Sequence, residues 1–521
     1  MNNVTVDTAC ASVKDAIDVT NREQNTYQFA IIGAGFGGIC AAVRLRQAGY
    51  TRIVIFERSG SVGGTWRDNR YPGCACDVPS VLYSLSFALN PNWERKYAPQ
   101  AEIYAYLKQV VKDWGILPYI RFHTPVTRAE YDEAGNMWRL HTPQGTFTAQ
   151  YVISAVGAFS TPAIPNLPGL DSFSGTLFHS AQWPENCDLR GKRVAVIGTG
   201  ATAAQVVASI APEVSRLYVF QRTPAWVVPR NDKPIPPWKK RLRATFLGRM
   251  ARACTYLTME AYALYMTRAL GLRRIFENMA LRHLERQVTD PELRRRLTPT
   301  YAIACKRVIL SDDFYPALQR PNVTLVTEGI EQITPNGIRC RDGREFALDA
   351  IILCTGFHVT DNPLADTVFG RGGRCLGEVW QDGPEAYLGT LVNGFPNYFM
   401  LSGPNTGIGH TSLVFMMEVQ VEYVLRVLRC AQRYGWNAIE VTARAQRQFN
   451  DALDRRMQRT VWASGCRSWY IHPKGRVSAT WPGTTISFWW RTLRVRVSDF
   501  EDRSEATSTA PTSISPVTEV H

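Results

Sequence analysis

At 521 residues, with 45% hydrophobic and 20% charged positions and a mean hydropathy of −0.18, the chain holds material for two or three buried cores. That composition excludes a disordered chain and speaks against a membrane-embedded one. The net charge of +14 raises nucleic acid or anionic lipid as partners, and where the charge lies decides between them.

Residues 1–26 carry Asp7, Asp15, Asp18 and Glu23 without a long apolar run, the pattern of a flexible N-terminal arm rather than a secretory leader. A short apolar strand is predicted over 27–32. It runs into Gly33-Ala34-Gly35-Phe36-Gly37-Gly38, followed by a helix over 39–48 and a second strand over 52–56 that ends at Glu57. In such a unit Gly33 permits the tight turn, Gly35 lets backbone approach a pyrophosphate, and Gly38 allows close helix packing. The helix N-terminus faces the phosphates, and Glu57 can hold ribose hydroxyls.

The same grammar returns downstream. A strand over 193–197 leads into Gly198-Thr199-Gly200-Ala201-Thr202-Ala203, then a helix over 204–211 and a strand over 217–220. This strand ends in Gln221-Arg222-Thr223; a cation and a hydroxyl suit a 2′-phosphate that an acid would repel. The first unit therefore fits FAD and the second NADPH. The expected fold is α/β, with two Rossmann-like dinucleotide-binding domains and a helical insertion in the NADPH domain. Expected boundaries are 27–160 for the first part of the FAD domain and 161–385 for the NADPH domain, with its insertion at 236–300. The second part of the FAD domain and the C-terminal segment take 386–500, and a disordered tail 501–521.

The insertion concentrates the charge: between positions 238 and 299 stand fourteen Lys and Arg against five Asp and Glu. No nucleic-acid motif accompanies it, so a solvated helix face near a phosphate-bearing cofactor is preferred to nucleic-acid binding. Peripheral contact with anionic lipid through Arg241, Arg243 and Arg249 stays open. The most apolar stretch, 253–272, is broken by Glu260 and Arg268 and is too mixed to cross a bilayer. Strands are expected again at 323–326, 338–340 and 350–354. The twelve cysteines are scattered, and Cys74 and Cys76 lie one residue apart, neither a zinc-pair nor a CxxC spacing. Reduced thiols, a cytoplasmic location and no metal are the expectation.

Between the two units stands Phe173-Ser174-Gly175-Thr176-Leu177-Phe178-His179-Ser180-Ala181-Gln182-Trp183-Pro184. It matches FxGxxxHxxxW(P/D), the fingerprint of type I Baeyer–Villiger monooxygenases in the flavin-containing monooxygenase superfamily, at Phe173, Gly175, His179 and Trp183. A second pattern, GGxWxxxxYPGxxxD, is met by Gly63, Gly64, Trp66, Tyr71, Pro72, Gly73 and Asp77. The chain resembles that family from about residue 27 to 490. The resemblance implies an NADPH- and O2-dependent flavoprotein that inserts one oxygen next to a ketone carbonyl, through a C4a-peroxyflavin, to give an ester or lactone.

By the same resemblance, Arg307 lies beside the flavin with Asp77 as its paired carboxylate, and Lys306 contacts the NADPH 2′-phosphate. Thr65, Tyr83 and Val126 join Gly64 and Trp66 around FAD, Trp469 reaches cofactor and substrate, and His179 couples nicotinamide binding to catalysis from the linker. A permanently charged guanidinium is what a peroxyanion and a tetrahedral oxyanion require. The stretches 351–357, 395–397 and 403–410 resemble the close of the nucleotide domain and the return to the FAD domain.

Two departures stand out. Cys74-Ala75-Cys76 replaces a segment that often holds arginine, and Arg67-Asp68 replaces an aromatic pair. Phe246, Tyr256, Tyr262 and Tyr265 in the insertion hint at a pocket for a small apolar ketone. The alternative is a flavin monooxygenase oxygenating sulfur or nitrogen of small lipophilic substrates. Trp183 with Pro184, and Arg307, argue against it.

Overall fold

A computed structural model describes residues 25–268, 270–465 and 468–504. Most of the expected arm and tail lies outside these residues. The start of the tail is ordered: Phe500–Asp502 pairs antiparallel with Ile439–Val441.

The first unit forms β1 (Thr26–Ile32), α1 (Phe36–Gln47) and β2 (Ile53–Phe56). All four residues of β2 and the centre of β1 are buried, as expected of parallel strands covered on both faces. The helix starts at Phe36, inside the glycine run and three residues before its apolar pattern begins. The following strands are β3 (Ile120–Arg121), β4 (Arg128–Asp132), β5 (Met137–Thr142) and β6 (Gly145–Ser154). β1 lies parallel between β6 and β2, and β4, β5 and β6 run as an antiparallel meander.

The second unit contains β7 (Thr176–His179), β8 (Arg193–Ile197), α2 (Ala201–Ile210) and β9 (Arg216–Phe220). Four helices follow: α3 (Pro237–Arg243), α4 (Phe246–Arg268), α5 (Leu270–Gln287) and α6 (Pro291–Leu297). Asp290 caps α6 by accepting the Glu292 amide, and Pro291 takes the first helical position. β10 (Val323–Val326) and β11 (Ala350–Leu353) complete a five-stranded sheet in the order β10-β9-β8-β11-β7, parallel at every pairing.

The chain then returns to the large sheet through β12 (Val368–Phe369), parallel to β4, and β13 (Tyr398–Met400), parallel to β6. The first of these returns precedes the boundary expected at 386. Helix α7 (Leu413–Tyr434) packs on α1 and on α8 (Thr485–Thr492), closing the FAD-side core.

The two units share one backbone device. Gly33 (φ +103) and Gly198 (φ +117) each end a first strand, and a Cβ there would lie 2.7 Å from the Ala155 carbonyl oxygen and 2.5 Å from that of Cys354. Only glycine takes that φ without strain and lets the neighbouring strand end come so close. Among the described residues, no helix is long and apolar enough to cross a membrane.

Candidate active site

Glu57 ends β2 almost fully buried, at 4% exposure. One carboxylate oxygen accepts the Ala34 amide inside the glycine turn (2.9 Å) and the other accepts the Ser59 amide (3.0 Å). Arg67 donates to that second oxygen at 2.9 Å and also pairs with Asp68 at 2.7 Å. The Arg67-Asp68 departure thus supplies a counter-ion for the buried acid, where an aromatic pair would leave its charge unmatched. Thr65 and Trp66 stand in the short helix Thr65–Asp68 after Gly64. The Trp66 indole donates to the Tyr83 hydroxyl at 3.0 Å, and Tyr83 stacks edge-on against Phe36. Val126 follows Thr124, whose amide bonds the Glu57 carbonyl. Glu57, Gly64, Thr65, Trp66 and Tyr83 thus gather around the glycine turn that ends β1. Gly35 and Gly38 lie at the N-terminus of α1, and a Cβ at Gly38 would sit 1.9 Å from the Gly33 carbonyl oxygen.

In the second unit Gly200 is the N-cap of α2, placing Ala201 and Thr202 in its first turn, and the Thr199 hydroxyl donates to the Thr223 carbonyl at 3.1 Å. Lys306 lies over the Tyr301 ring at 4.8 Å. Burial, and then the nearby charge of Arg222, pulls its ammonium below the ordinary lysine range. Neither cation is in an ion pair with a described residue. Two cations that feel one another's charge, neither of them in an ion pair with a described carboxylate, fit a phosphate dianion, which favours the charged form of both.

The pair Arg307–Asp77 joins segments 230 positions apart: the guanidinium donates to one carboxylate oxygen through Nε at 3.1 Å and through an Nη at 2.6 Å. Asp77 holds the guanidinium firmly protonated, and the buried Tyr470 hydroxyl meets the same group. Tyr470 stands in the same segment as Trp469, but the resemblance gives a role only to the tryptophan. Trp469 is 39% exposed and leans on Phe159 and Tyr470. From there Phe159 touches Phe357, and Phe357 touches the His179 ring.

His179 is buried at the end of β7, with Phe173 and Gly175 in the loop before it and Trp183 edge-on to Phe178. Its Nδ1 accepts the Ala181 amide at 3.1 Å, which places the ring proton on Nε2. Burial lowers its pKa, the Gly356 backbone acting in the opposite direction.

The Cys74-Ala75-Cys76 departure is a clasp between domains. The Gln205 side chain on α2 donates to the Ala75 carbonyl (3.0 Å) and accepts from the Ala75 amide (3.4 Å) and the Tyr71 hydroxyl (3.2 Å). Burial pushes the Cys74 thiol up to about 12, so it is no thiolate nucleophile. Nine described cysteines are free, as expected. Cys305 is not: it is disulfide-bonded, beside a Ser464 loop that local spacing could not place there. No group of His, Cys, Asp or Glu among the described residues could hold a metal.

The cradle at α1, the buried acid and the phosphate-ready cations define a two-nucleotide flavoenzyme. The chain matches the Flavin-binding monooxygenase-like family over residues 26–370 and belongs to it. It is 46% identical over 476 residues to a Baeyer-Villiger monooxygenase of Streptomyces coelicolor, covering 91% of this chain and 92% of that one. A Baeyer-Villiger monooxygenase of Pseudomonas aeruginosa is 47% identical, covering 88% of each. A closed crystal structure of cyclohexanone monooxygenase superposes with a TM-score of 0.84 at 31% identity, covering 92% of this chain and 99% of that one. OTEMO in complex with FAD and NADP gives 0.83 at 28% identity, covering 91% and 99%. Within the family the chain is therefore a Baeyer–Villiger monooxygenase, dependent on FAD and NADPH.

Proposed function

We propose that the reaction centre is built on Arg307, Asp77 and Tyr470, and that the substrate is a small apolar ketone converted by O2 to an ester or lactone. The observation that carries this is the ion pair between Arg307 and Asp77, which brings a cation from the NADPH side onto a carboxylate from the FAD side.

FAD, when bound, supplies the redox chemistry that NADPH starts and O2 completes. The protein's own groups do the rest. The N-terminus of α1 and its glycine turn hold the FAD pyrophosphate, and Glu57 orients the ribose. Arg222 and Lys306 take the 2′-phosphate of NADPH, with Thr223 beside them. Trp183 and the neutral His179 brace the linker, and Trp469 borders the substrate space. Asp77 occupies Nε and one Nη of Arg307 through a single oxygen, leaving other N–H donors for negative charge that builds on the carbonyl-derived oxygen. Arginine cannot give up its proton in the process, so the field is constant through the reaction. The supply of NADPH and FAD fits the cytoplasm as its compartment.

Purified protein is incubated with NADPH, O2 and a panel of cyclic, linear and aryl ketones, with Arg307→Ala alongside and products identified by mass. The expected result is a ketone gaining one oxygen, and a variant that consumes NADPH without forming ester. Oxygenated thioethers or amines at a rate indifferent to Arg307, with no ester from any ketone, overturn the assignment.

A further inference from the structure

Helix α4 is inside out. Phe246 is 73% exposed, Leu247 59%, Met250 51% and Leu257 57%, and Ala253, Cys254, Thr258 and Ala261 are exposed beside them. At about 100° per residue these positions fall within an arc of roughly 140°. Between Phe246 and Ala261 no charged residue lies in that arc. Arg252 and Glu260 point inward instead, and Arg249 is exposed at the edge of the arc. The Arg252 Nε donates to the Val81 carbonyl at 3.1 Å. Glu260, 4% exposed, accepts from the Thr485 hydroxyl at 2.6 Å and the Ile486 amide at 3.3 Å, and pairs with His410 at 3.1 Å. These polar contacts fix the rotation of the helix, so its apolar stripe faces outward by construction. Phe246, which the sequence offered as a pocket residue, belongs to this stripe.

The surroundings identify what the stripe meets. Helix α3 exposes Trp238 (61%) and Leu242 (37%), and α8, docked on Glu260, exposes Ile486, Trp489 and Trp490. Lys239, Arg241 and Arg249 are exposed on α3 and α4, and none of the three is in an ion pair with a described residue. Arg243 is half-buried and drops out of the set expected from sequence. Apolar and tryptophan side chains within a ring of lysine and arginine suit the boundary between lipid headgroups and acyl chains. A second copy of this chain would set the same cations against one another on two bodies of net charge +14, whereas lipid phosphates neutralise them.

We propose that α3 and α4 form a docking surface for an anionic phospholipid bilayer, which the protein joins peripherally. This does not depend on which ketone is the substrate, and its test needs no turnover. FAD-loaded full-length protein is floated with vesicles of phosphatidylglycerol and phosphatidylcholine, and with phosphatidylcholine alone. Two triple variants accompany it, Phe246→Ser/Leu247→Ser/Met250→Ser and Lys239→Gln/Arg241→Gln/Arg249→Gln, with FAD content as the check on folding.

The expected result is flotation with the anionic vesicles, weakened by salt and by at least about tenfold in each variant at unchanged FAD content. In the unsubstituted protein, brominated acyl chains quench tryptophan fluorescence. Absence of flotation, or flotation indifferent to both variants, overturns the proposal. So does a concentration-dependent dimer that the apolar variant abolishes, which assigns the surface to a second copy.

Discussion

Asp77→Asn tests the centre of the proposed site, because it removes a charge at nearly constant shape. The two contacts to Arg307, at 3.1 and 2.6 Å, join side chains that are 31% and 21% exposed. At about 3 Å with an effective dielectric of roughly 20–40, the gross attraction is about 3–6 kcal/mol. The asparagine oxygen still accepts from a charged donor, which retains about 1.5 kcal/mol, and water at the partly exposed pair screens more. A net loss of about 1–2 kcal/mol in the hold on Arg307 remains, or roughly five- to thirtyfold. NADPH oxidation should stay within about threefold, because the nucleotide contacts are elsewhere. Ester formed per NADPH consumed should fall by about five- to thirtyfold, with hydrogen peroxide making up the difference. Oxygen uptake, peroxide assay and product mass measure all three. An unchanged ester yield refutes Asp77 as the group that positions Arg307. Loss of bound FAD in step with activity makes the carboxylate part of the cofactor pocket instead.

Three further outcomes follow from the same geometry. Tyr470→Phe takes away the hydroxyl on Arg307 and should lower ester per NADPH by about three- to tenfold, near the value of one hydrogen bond. Trp469→Phe, at a more exposed position, should change it by less than about twofold; the reverse order contradicts the placement. Arg222→Gln and Lys306→Met should each raise KM for NADPH by about ten- to a hundredfold and leave KM for NADH nearly unchanged, as expected of charge-assisted phosphate contacts. Steady-state kinetics with both nucleotides checks this, and equal losses on the two would remove the phosphate assignment. Buried His179 binds its proton less readily than it would unfolded, so the unfolded state gains as pH falls below the ordinary histidine value. The unfolding free energy from urea titrations should fall below about pH 6.5, by at most about 1.4 kcal/mol per pH unit from this group. His179→Gln should flatten that slope, and an unaltered slope shows that other groups produce it.

Much of this was legible in the chain itself. The nucleotide units were, because strand, glycine turn, helix and second strand are set by neighbours within about thirty residues, and Gly33 and Gly198 answer to local backbone strain. The partnership of Asp77 with Arg307 was available only through family resemblance, since no local pattern links positions 230 apart. Tyr470 was hidden for the same reason: no local pattern ties it to Arg307. Arg67 read as a missing aromatic until Glu57 was found against it. The insertion was least legible of all: Phe246 follows a helical period that a buried face would share, and only the inward Arg252 and Glu260 reveal that the helix is turned outward.

The grip of Gln205 on Ala75 has a mechanical meaning. Ala75 is two residues from Asp77, and Gln205 is one helical turn from Thr202, in the first turn of α2. With these bonds intact, a movement of that helix would carry the loop, the carboxylate on it and the guanidinium the carboxylate holds. The two dinucleotide units are thus tied together at a point two residues from the carboxylate that holds Arg307.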